Sequence, residues 1–369
     1  MNDERAARYQ EPNEEFPHST RLDDVRIREV RPLISAALLQ YELPADAGIQ
    51  AFIEKMRREV AAVVHGQDKR LLAIVGPCSI HDRDQAIEYA WRLKELASEL
   101  RDDLLVVMRV YFEKPRTTVG WKGFINDPRL DGSFRINEGL RRAREVLLEI
   151  ARLELPAGTE FLDLLSPQYI ADLVSWGAIG VRTTESPSHR QLASGMSCAI
   201  GFKNGTDGGV QVAADALVAC HSPHAFMGMT KMGQVAIFET AGNDDCHVIL
   251  RGGTRGPNYE PQDIAAACAS LAKSGVLERV MVDCSHANSR KDYRRQAEVA
   301  QSLARQVAGG DERILGVMIE SHLHEGRQDL TAGQALKPGV SITDACLGWD
   351  QTETLMRELA EAARTRRPS

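Results

Sequence analysis

The chain has 369 residues, 43% hydrophobic and 26% charged, enough apolar side chain for a large core; this excludes a disordered protein, apart from the polar opening stretch MNDERAARYQEPNEEFPHST. A net charge of -7 leaves no basic excess to displace counterions from a phosphate backbone, so nucleic acid is not an expected partner and any anionic ligand must meet locally concentrated positive charge. No long apolar run offers a membrane span or a signal segment, so the expectation is a cytoplasmic protein with no membrane partner. Seven cysteines, an odd number with no C-x-x-C pair, argue against a disulfide framework, and most of them read as small buried hydrophobes.

In chain order, residues 1–20 read as a flexible tail and 21–70 as an N-terminal arm with helices such as AGIQAFIEKMRREVAAVV. Residues 71–369 then alternate short apolar runs with helical patterns. The runs are LLAIV (71–75), LLVVMRVYF (104–112), TEFLDLL (159–165), AIGV (178–181), AIGF (199–202), HVIL (247–250), RVMVD (279–283) and ILGVMI (314–319). Near-continuous apolarity over such lengths suits strands buried on both faces of a parallel sheet. Between them DQAIEYAWRLKELASEL, NEGLRRAREVLLEIARL, PQYIADLVSW and DIAAACASLAKSG carry apolar residues at helical spacing. Eight such units predict an α/β protein of the (β/α)8 TIM-barrel class. The rival, a doubly wound open sheet, would want G-x-G-x-x-G after the first strand, where GPCSIH stands. At about 224–240, HAFMGMTKMGQVAIFET reads as a β-hairpin inserted before the sixth barrel strand, its turn at Lys231 to Gln234. The final segment, TETLMRELAEAARTRR, predicts an amphipathic helix with basic residues in its last turn.

In a barrel, catalytic groups come from the C-terminal ends of the strands. At or just past those ends stand Cys78, Arg109, Asp163, Arg182, Lys203, Arg251, His286 and Glu320. Four cations converging on one mouth repel one another unless an anion joins them, and arginine forks match carboxylates and phosphates. The loop YFEKPRTTVGWKG brings a second cationic group, Lys114, Arg116 and Lys122, so two anionic substrates are expected. Cys78, His286, Glu320 and, in SITDAC, Asp344 differ in character, and together a thiolate, an imidazole and two carboxylates can hold a divalent transition ion. Singly, His286 reads as a hydrogen-bonded structural histidine and Asp344 as a cap for the segment after it.

The segments IVGPCSIHD, MRVYFEKPRTTVGWKG, WGAIGVRTTES, GFKNGTDG, HVILRGG, VDCSHANS, IESHLHEG and SITDACLGW closely resemble the type I, microbial and aromatic-regulated, 3-deoxy-D-arabino-heptulosonate 7-phosphate synthases. The resemblance runs in order from about residue 22 to the C-terminal helix. It implies a (β/α)8 barrel with an N-terminal extension and inserted strands. It also implies condensation of phosphoenolpyruvate with erythrose 4-phosphate, the first step of the shikimate pathway to aromatic amino acids. Carried over by position, it makes Cys78, His286, Glu320 and Asp344 the ligands of a divalent metal, with Mn2+ first and Fe2+, Co2+ or Zn2+ as alternatives. Arg109, Lys114, Val181, Arg182, Lys203 and Arg251 would bind phosphoenolpyruvate. Lys114, Pro115, Arg116, Thr117 and Asp344 would bind erythrose 4-phosphate. Lys114, His286 and Cys78 are the catalytic candidates, with Lys114 or His286 moving a proton. An aromatic amino acid, tyrosine ahead of phenylalanine, would bind near Asp24, Pro167, Gln168, Leu192, Ser197 and Phe226, in a homodimer or homotetramer.

Two alternatives stand beside this. A related enzyme would use a five-carbon sugar phosphate and make an octulosonate phosphate, against which the full KPRTTVGWKG context argues. A catalytically silent amino-acid sensor would have lost a metal ligand or a phosphate-binding arginine, and none is lost.

Overall fold

A computed structural model describes residues 24–115, 120–331 and 333–366. The expected tail at 1–20 lies outside the described residues, as do Arg116 and Thr117. The chain divides into two compact units, Met1–Leu33 and Ile34–Ser369. In the first, the described residues carry one turn, in which the Ile27 amide donates to the Asp24 carbonyl at 2.9 Å, and Asp24 takes a left-handed φ of 55°.

Ten strands are described in the second unit: β1 (Leu71–Gly76), β2 (Leu104–Arg109), β3 (Ala157–Glu160), β4 (Trp176–Ile179), β5 (Ala199–Lys203), β6 (Ala225–Met229), β7 (Val235–Glu239), β8 (Cys246–Leu250), β9 (Val280–Asp283) and β10 (Ile314–Glu320). Eight of them close into a parallel barrel in the order β1-β2-β3-β4-β5-β8-β9-β10, so the predicted (β/α)8 architecture is present. Strand residues are buried on both faces, which is why these segments read as continuous apolar runs. Inside the barrel Leu72, Ile74, Val107, Trp176, Ile249, Met281 and Met318 pack as one cluster. Val60, Val63 and Val64 join this cluster from the helix Ala47–Val64, whose last turn plugs the barrel floor. Asp46 starts that helix by accepting the Ile49 amide at 2.9 Å, and Arg279, just before β9, ties down its end by donating to the Val64 carbonyl at 2.9 Å. The expected terminal helix is Trp349–Arg366, with Arg364 and Arg366 in its last turn. No helix among the described residues is long and apolar enough to cross a membrane.

β6 and β7 form the expected antiparallel hairpin, in register from Ala225–Glu239 to Met229–Val235. Its turn is closed by the Gly233 amide on the Thr230 carbonyl at 2.9 Å, with Gly233 at a φ of 82° that a side chain would disfavour. Phe226 and Phe238 stack on one face, while Met227, Val235 and Ile237 stand exposed on the other.

Several expected bounds shift: the second strand ends at Arg109 instead of residue 112, and the fourth lies at Trp176–Ile179 instead of 178–181. The third strand begins at Ala157 and ends at Glu160, not at residue 165. Asp163 turns the chain there by accepting the amides of Leu165 and Ser166 at 2.6 and 3.3 Å, and Leu164 and Leu165 are 43% and 40% exposed, so LDLL is a cavity wall and not a buried strand. The helix expected over PQYIADLVSW shortens to Pro167–Ile170 followed by a 3-10 turn at Ala171–Leu173, because Arg57 takes the Ala171 and Val174 carbonyls at 2.6 and 3.0 Å.

Candidate active site at the barrel mouth

Register decides which side chains meet. β1 pairs with β10 up to Gly76 opposite Glu320, and β10 pairs with β9 up to Met318 opposite Asp283, so these strands end together. Gly76 lies so close to β2 that a Cβ there would meet the Arg109 carbonyl oxygen at 2.8 Å, and this tight passage delivers Pro77 and Cys78 onto the mouth.

Arg109, only 1% exposed, is held from every side. Its guanidinium donates to Glu320 Oε1 at 2.8 Å and to the Pro77 carbonyl at 3.1 Å, and lies 3.6 Å from the Tyr111 ring centroid. Lys114 Nζ reaches the Cys78 carbonyl at 2.9 Å and Cys78 Sγ at 3.0 Å. Lys203 Nζ donates to Asp283 Oδ2 at 3.2 Å, and that fully buried carboxylate also takes His286 Nδ1 at 2.9 Å and the Ser285 hydroxyl at 2.6 Å. His286 itself has a left-handed φ of 57°, a strained backbone at the centre of the site.

Cys78 Sγ and carboxylate oxygens of Glu320 and Asp344 all lie within 4.8 Å of one another, a spacing that one cation can bridge. His286 Nε2 stands 3.9 Å from Glu320 Oε1, at the edge of that group. The donor set of one sulfur and two carboxylates, with an imidazole at its edge, fits a divalent transition ion better than Mg2+ or Ca2+, which favour all-oxygen shells. Electrostatics agree. Burial pushes the Cys78 thiol up to about 11, reinforced by Glu320 and opposed by Lys114, so the buried Cys78 and Glu320, with Asp344 exposed beside them, favour a positive charge among them. Burial also works against ionisation of Asp344 and Asp283, but Lys114 and His286 hold Asp344 below the usual carboxylate range, and His286 and Lys203 hold Asp283 well below it.

Above this floor opens a cavity of about 260 Å³ lined by Arg109, Lys114, Val181, Arg182, Lys203 and Arg251, together with Pro115, Glu160, His286, Thr343 and Asp344. All six residues expected around phosphoenolpyruvate face it. Arg182 donates to the Pro115 carbonyl at 3.2 Å. Arg251 has its main chain fixed by Asn204 Oδ1, which accepts its amide at 2.7 Å, while its buried Nε lacks a hydrogen-bond partner among the described residues. Burial and the nearby Arg182 lower the Arg251 pKa against the pull of Asp283 and Glu320, the state of a cation awaiting an anion.

Residues 47–357 match the sequence profile of the DAHP synthetase I family. The chain belongs to that family. It is 54% identical over 345 residues to the phospho-2-dehydro-3-deoxyheptonate aldolase of Haemophilus influenzae, covering 94% of this chain and 95% of that one. It is 53% identical to the Phe-sensitive enzyme of Escherichia coli K12, over 94% of this chain and 98% of that one, and 51% identical to the tyrosine-inhibited enzyme of Schizosaccharomyces pombe, over 96% and 97%. The solved phospho-2-dehydro-3-deoxyheptonate aldolase of Francisella tularensis SCHU S4 superposes with a TM-score of 0.91 at 48% identity, covering 93% of this chain and all of that one.

This DAHP synthetase I chain has a second, larger cavity of about 730 Å³, walled by residues 164–172, the helix Pro187–Ser194 with the turn after it, and the β6–β7 hairpin. Pro167, Gln168, Leu192, Ser197 and Phe226, five of the six residues expected around an effector, line it. The sixth, Asp24, belongs to the other compact unit. Lys231 in the hairpin turn donates to the Gln168 carbonyl at 3.2 Å.

At the mouth the sequence reading missed Glu160 and Asp283. Glu160 was masked by the misplaced end of the third strand. Asp283 closes the run RVMVD and was read as part of the strand, although a carboxylate ending an otherwise apolar strand is itself a signal of a mouth residue.

Proposed function

We propose that the barrel mouth joins phosphoenolpyruvate to D-erythrose 4-phosphate and water, giving 3-deoxy-D-arabino-heptulosonate 7-phosphate and inorganic phosphate. The enzyme is a 3-deoxy-7-phosphoheptulonate synthase. The observation that carries the proposal is the convergence of Arg109, Lys114, Arg182, Lys203 and Arg251 on one cavity whose floor holds Cys78, Glu320 and Asp344.

Arg182 and Arg251, with the Val181 amide, take the phosphate of phosphoenolpyruvate, and Arg109, Lys114 and Lys203 surround its carboxylate. Erythrose 4-phosphate is assigned, as the family resemblance implies, to Lys114, Pro115, Arg116, Thr117 and Asp344. Cys78, His286, Glu320 and Asp344 would hold a divalent ion, Mn2+ first and Fe2+, Co2+ or Zn2+ as alternatives, which when bound supplies Lewis-acid polarisation of the aldehyde. The cationic walls hold both anions together, so the methylene carbon of phosphoenolpyruvate faces the aldehyde carbon and forms the new C–C bond. Lys114 Nζ lies among Cys78, Glu320 and Asp344, whose charges hold its pKa above the ordinary value against burial; it is the group placed to give a proton to the developing alkoxide. Water adds to the former enol carbon, and phosphate departs by C–O cleavage.

The hairpin cavity takes an aromatic amino acid that inhibits the reaction. Tyrosine is the effector proposed, because the walls mix Leu192, Phe226 and Phe238 with the polar Gln168, Ser197 and Thr240, which suits a ring bearing a hydroxyl.

The test incubates the purified protein with Mn2+ and both substrates and follows loss of enolpyruvate absorbance, with parallel runs in chelator and in each aromatic amino acid. Metal-dependent consumption of both substrates, slowed by tyrosine, is expected. No consumption with any of the four divalent ions would overturn the reading, and use of arabinose 5-phosphate in place of erythrose 4-phosphate would redirect it.

A further inference from the structure

The wall of the hairpin cavity and the base of the Lys114 loop meet at the Glu113 carboxyl, which takes the Ser166 hydroxyl and is also hydrogen-bonded by the backbone at Asp163 and Leu162. Leu164, Leu165, Pro167 and Gln168 face the cavity, but Ser166 between them points the other way. Its hydroxyl, on a residue 5% exposed, donates to Glu113 Oε2 at 2.9 Å. Glu113, 4% exposed, directly precedes Lys114. Its backbone bridges to Gly123, and the Lys114 amide donates to the Lys122 carbonyl at 2.9 Å, so the loop base is a closed ladder. There is little slack in it, since a Cβ on Gly123 would meet the Phe112 carbonyl oxygen at 2.1 Å. Water has no access to stand in for the Ser166 hydroxyl at the buried carboxyl, so a shift of Ser166 either carries Glu113 with it or leaves that carboxyl held by the Asp163 and Leu162 backbone alone. Burial pushes the Glu113 carboxyl up to about 7, and the Asp163 charge adds to the rise; the Ser166 bond and backbone hydrogen bonds at Asp163 and Leu162 draw it down.

We propose that the Ser166–Glu113 hydrogen bond is the positioning link through which an amino acid in the hairpin cavity displaces Lys114 and so slows the reaction. The link rests on the effector reading given above and names its route. Glu113 and Ser166 touch neither substrate in that reading; they act through the main chain on either side of Lys114.

Three measurements on the full-length enzyme test it: tyrosine binding by calorimetry, the basal rate, and the inhibited rate at saturating tyrosine, each repeated with phenylalanine. For Ser166→Ala we expect a basal rate and a tyrosine affinity within about threefold of wild type, with inhibition falling from about tenfold or more to under twofold, the loss of an ordinary coupling between sites. Glu113→Gln keeps an acceptor for the Ser166 hydroxyl and should keep inhibition within about twofold of wild type. Full inhibition of a folded Ser166→Ala enzyme overturns the link. Equal loss of inhibition in Glu113→Gln assigns the coupling to the carboxylate charge and overturns it as well. Should Ser166→Ala not fold, hydrogen exchange on the wild-type protein decides: the amides of Glu113 and Lys114 should change protection when tyrosine is added, and unchanged protection with tyrosine bound overturns the link. If neither amino acid binds the wild-type protein, the effector reading falls and the link falls with it; binding with unlinked inhibition removes the link alone.

Discussion

The barrel mouth carries its charges at the ends of mutually hydrogen-bonded barrel strands, whereas the hairpin cavity is walled by turns, the short helix Pro187–Ser194 and a two-stranded sheet with one face open. At the mouth Arg109 is gripped by Glu320, the Pro77 carbonyl and the Tyr111 ring, and Asp283 serves Lys203, His286 and Ser285 at once. Moving any of these groups breaks several bonds. In the hairpin cavity Leu192 and Phe226 offer mainly apolar surface, and the wall at 163–168 is held by the Asp163 cap, the Ser166 bond and the Gln40 and Lys231 side chains that donate to the Gln168 carbonyl. The contrast is between a place preorganised for charge and one that can yield to a ligand, which is what chemistry and regulation respectively need.

The most severe way to break the comparison is to unbalance the mouth. Glu320→Gln removes a proposed metal ligand and leaves the buried Arg109 guanidinium without its carboxylate. Loss of one partner from a buried ion pair costs roughly 3–5 kcal/mol. We expect kcat/KM to fall by roughly a thousandfold, since an oriented charge at the reacting centre is lost. Steady-state kinetics across a Mn2+ titration, with a melting curve to establish folding, would check this. A folded variant within tenfold of wild type would mean that the mouth is not preorganised around Glu320.

A milder change keeps the charge and removes the fork. Arg251→Lys retains a cation in the cavity but cannot present two parallel donors to a phosphate. The expected result is a fall of about ten- to a hundredfold in kcat/KM for phosphoenolpyruvate, mostly in KM, with KM for erythrose 4-phosphate little changed. Equal effects on both substrates would place Arg251 between the two anion sites.

How much of this could be read beforehand follows from the same contrast. The strands of the mouth, being buried on both faces, announce themselves as apolar runs, and each polar residue at a strand end stands out against them: Cys78, Arg109, Lys203 and Glu320 were found in this way. Identifying which of them is a ligand and which binds phosphate leaned on the family resemblance, because neither spacing nor composition specifies it. The hairpin cavity hides because its lining comes from three separated segments whose apolar residues look like core; Leu164 and Leu165 extended the third strand falsely for this reason. Glu113 gave no signal at all. A glutamate in a basic loop reads as solvated, and only the fold buries it against Ser166.

The smallest expected effect concerns that residue, which lies between the two regions. Burial pushes its carboxyl up to about 7 from an ordinary 4.5, so over that interval the folded state holds a proton that the unfolded chain has already released. Stability from this group is therefore complete below about pH 4.5 and is lost as the pH rises through 7. Glutamine carries no such dependence. Below about pH 5 the Glu113→Gln and wild-type proteins should melt together, the amide standing in for the protonated acid. Toward pH 8 the variant should gain on wild type by up to roughly 3 kcal/mol, an upper bound because a buried ionised group relaxes its surroundings. For a chain of this size that corresponds to a shift of several degrees at most. Paired melts from pH 5 to 8 would measure it, with the basal rate as a control that should stay near wild type. A constant difference across the range would show that Glu113 is solvated in the folded protein, and the wall at 163–168 and the Lys114 loop would then be two independent parts of the enzyme.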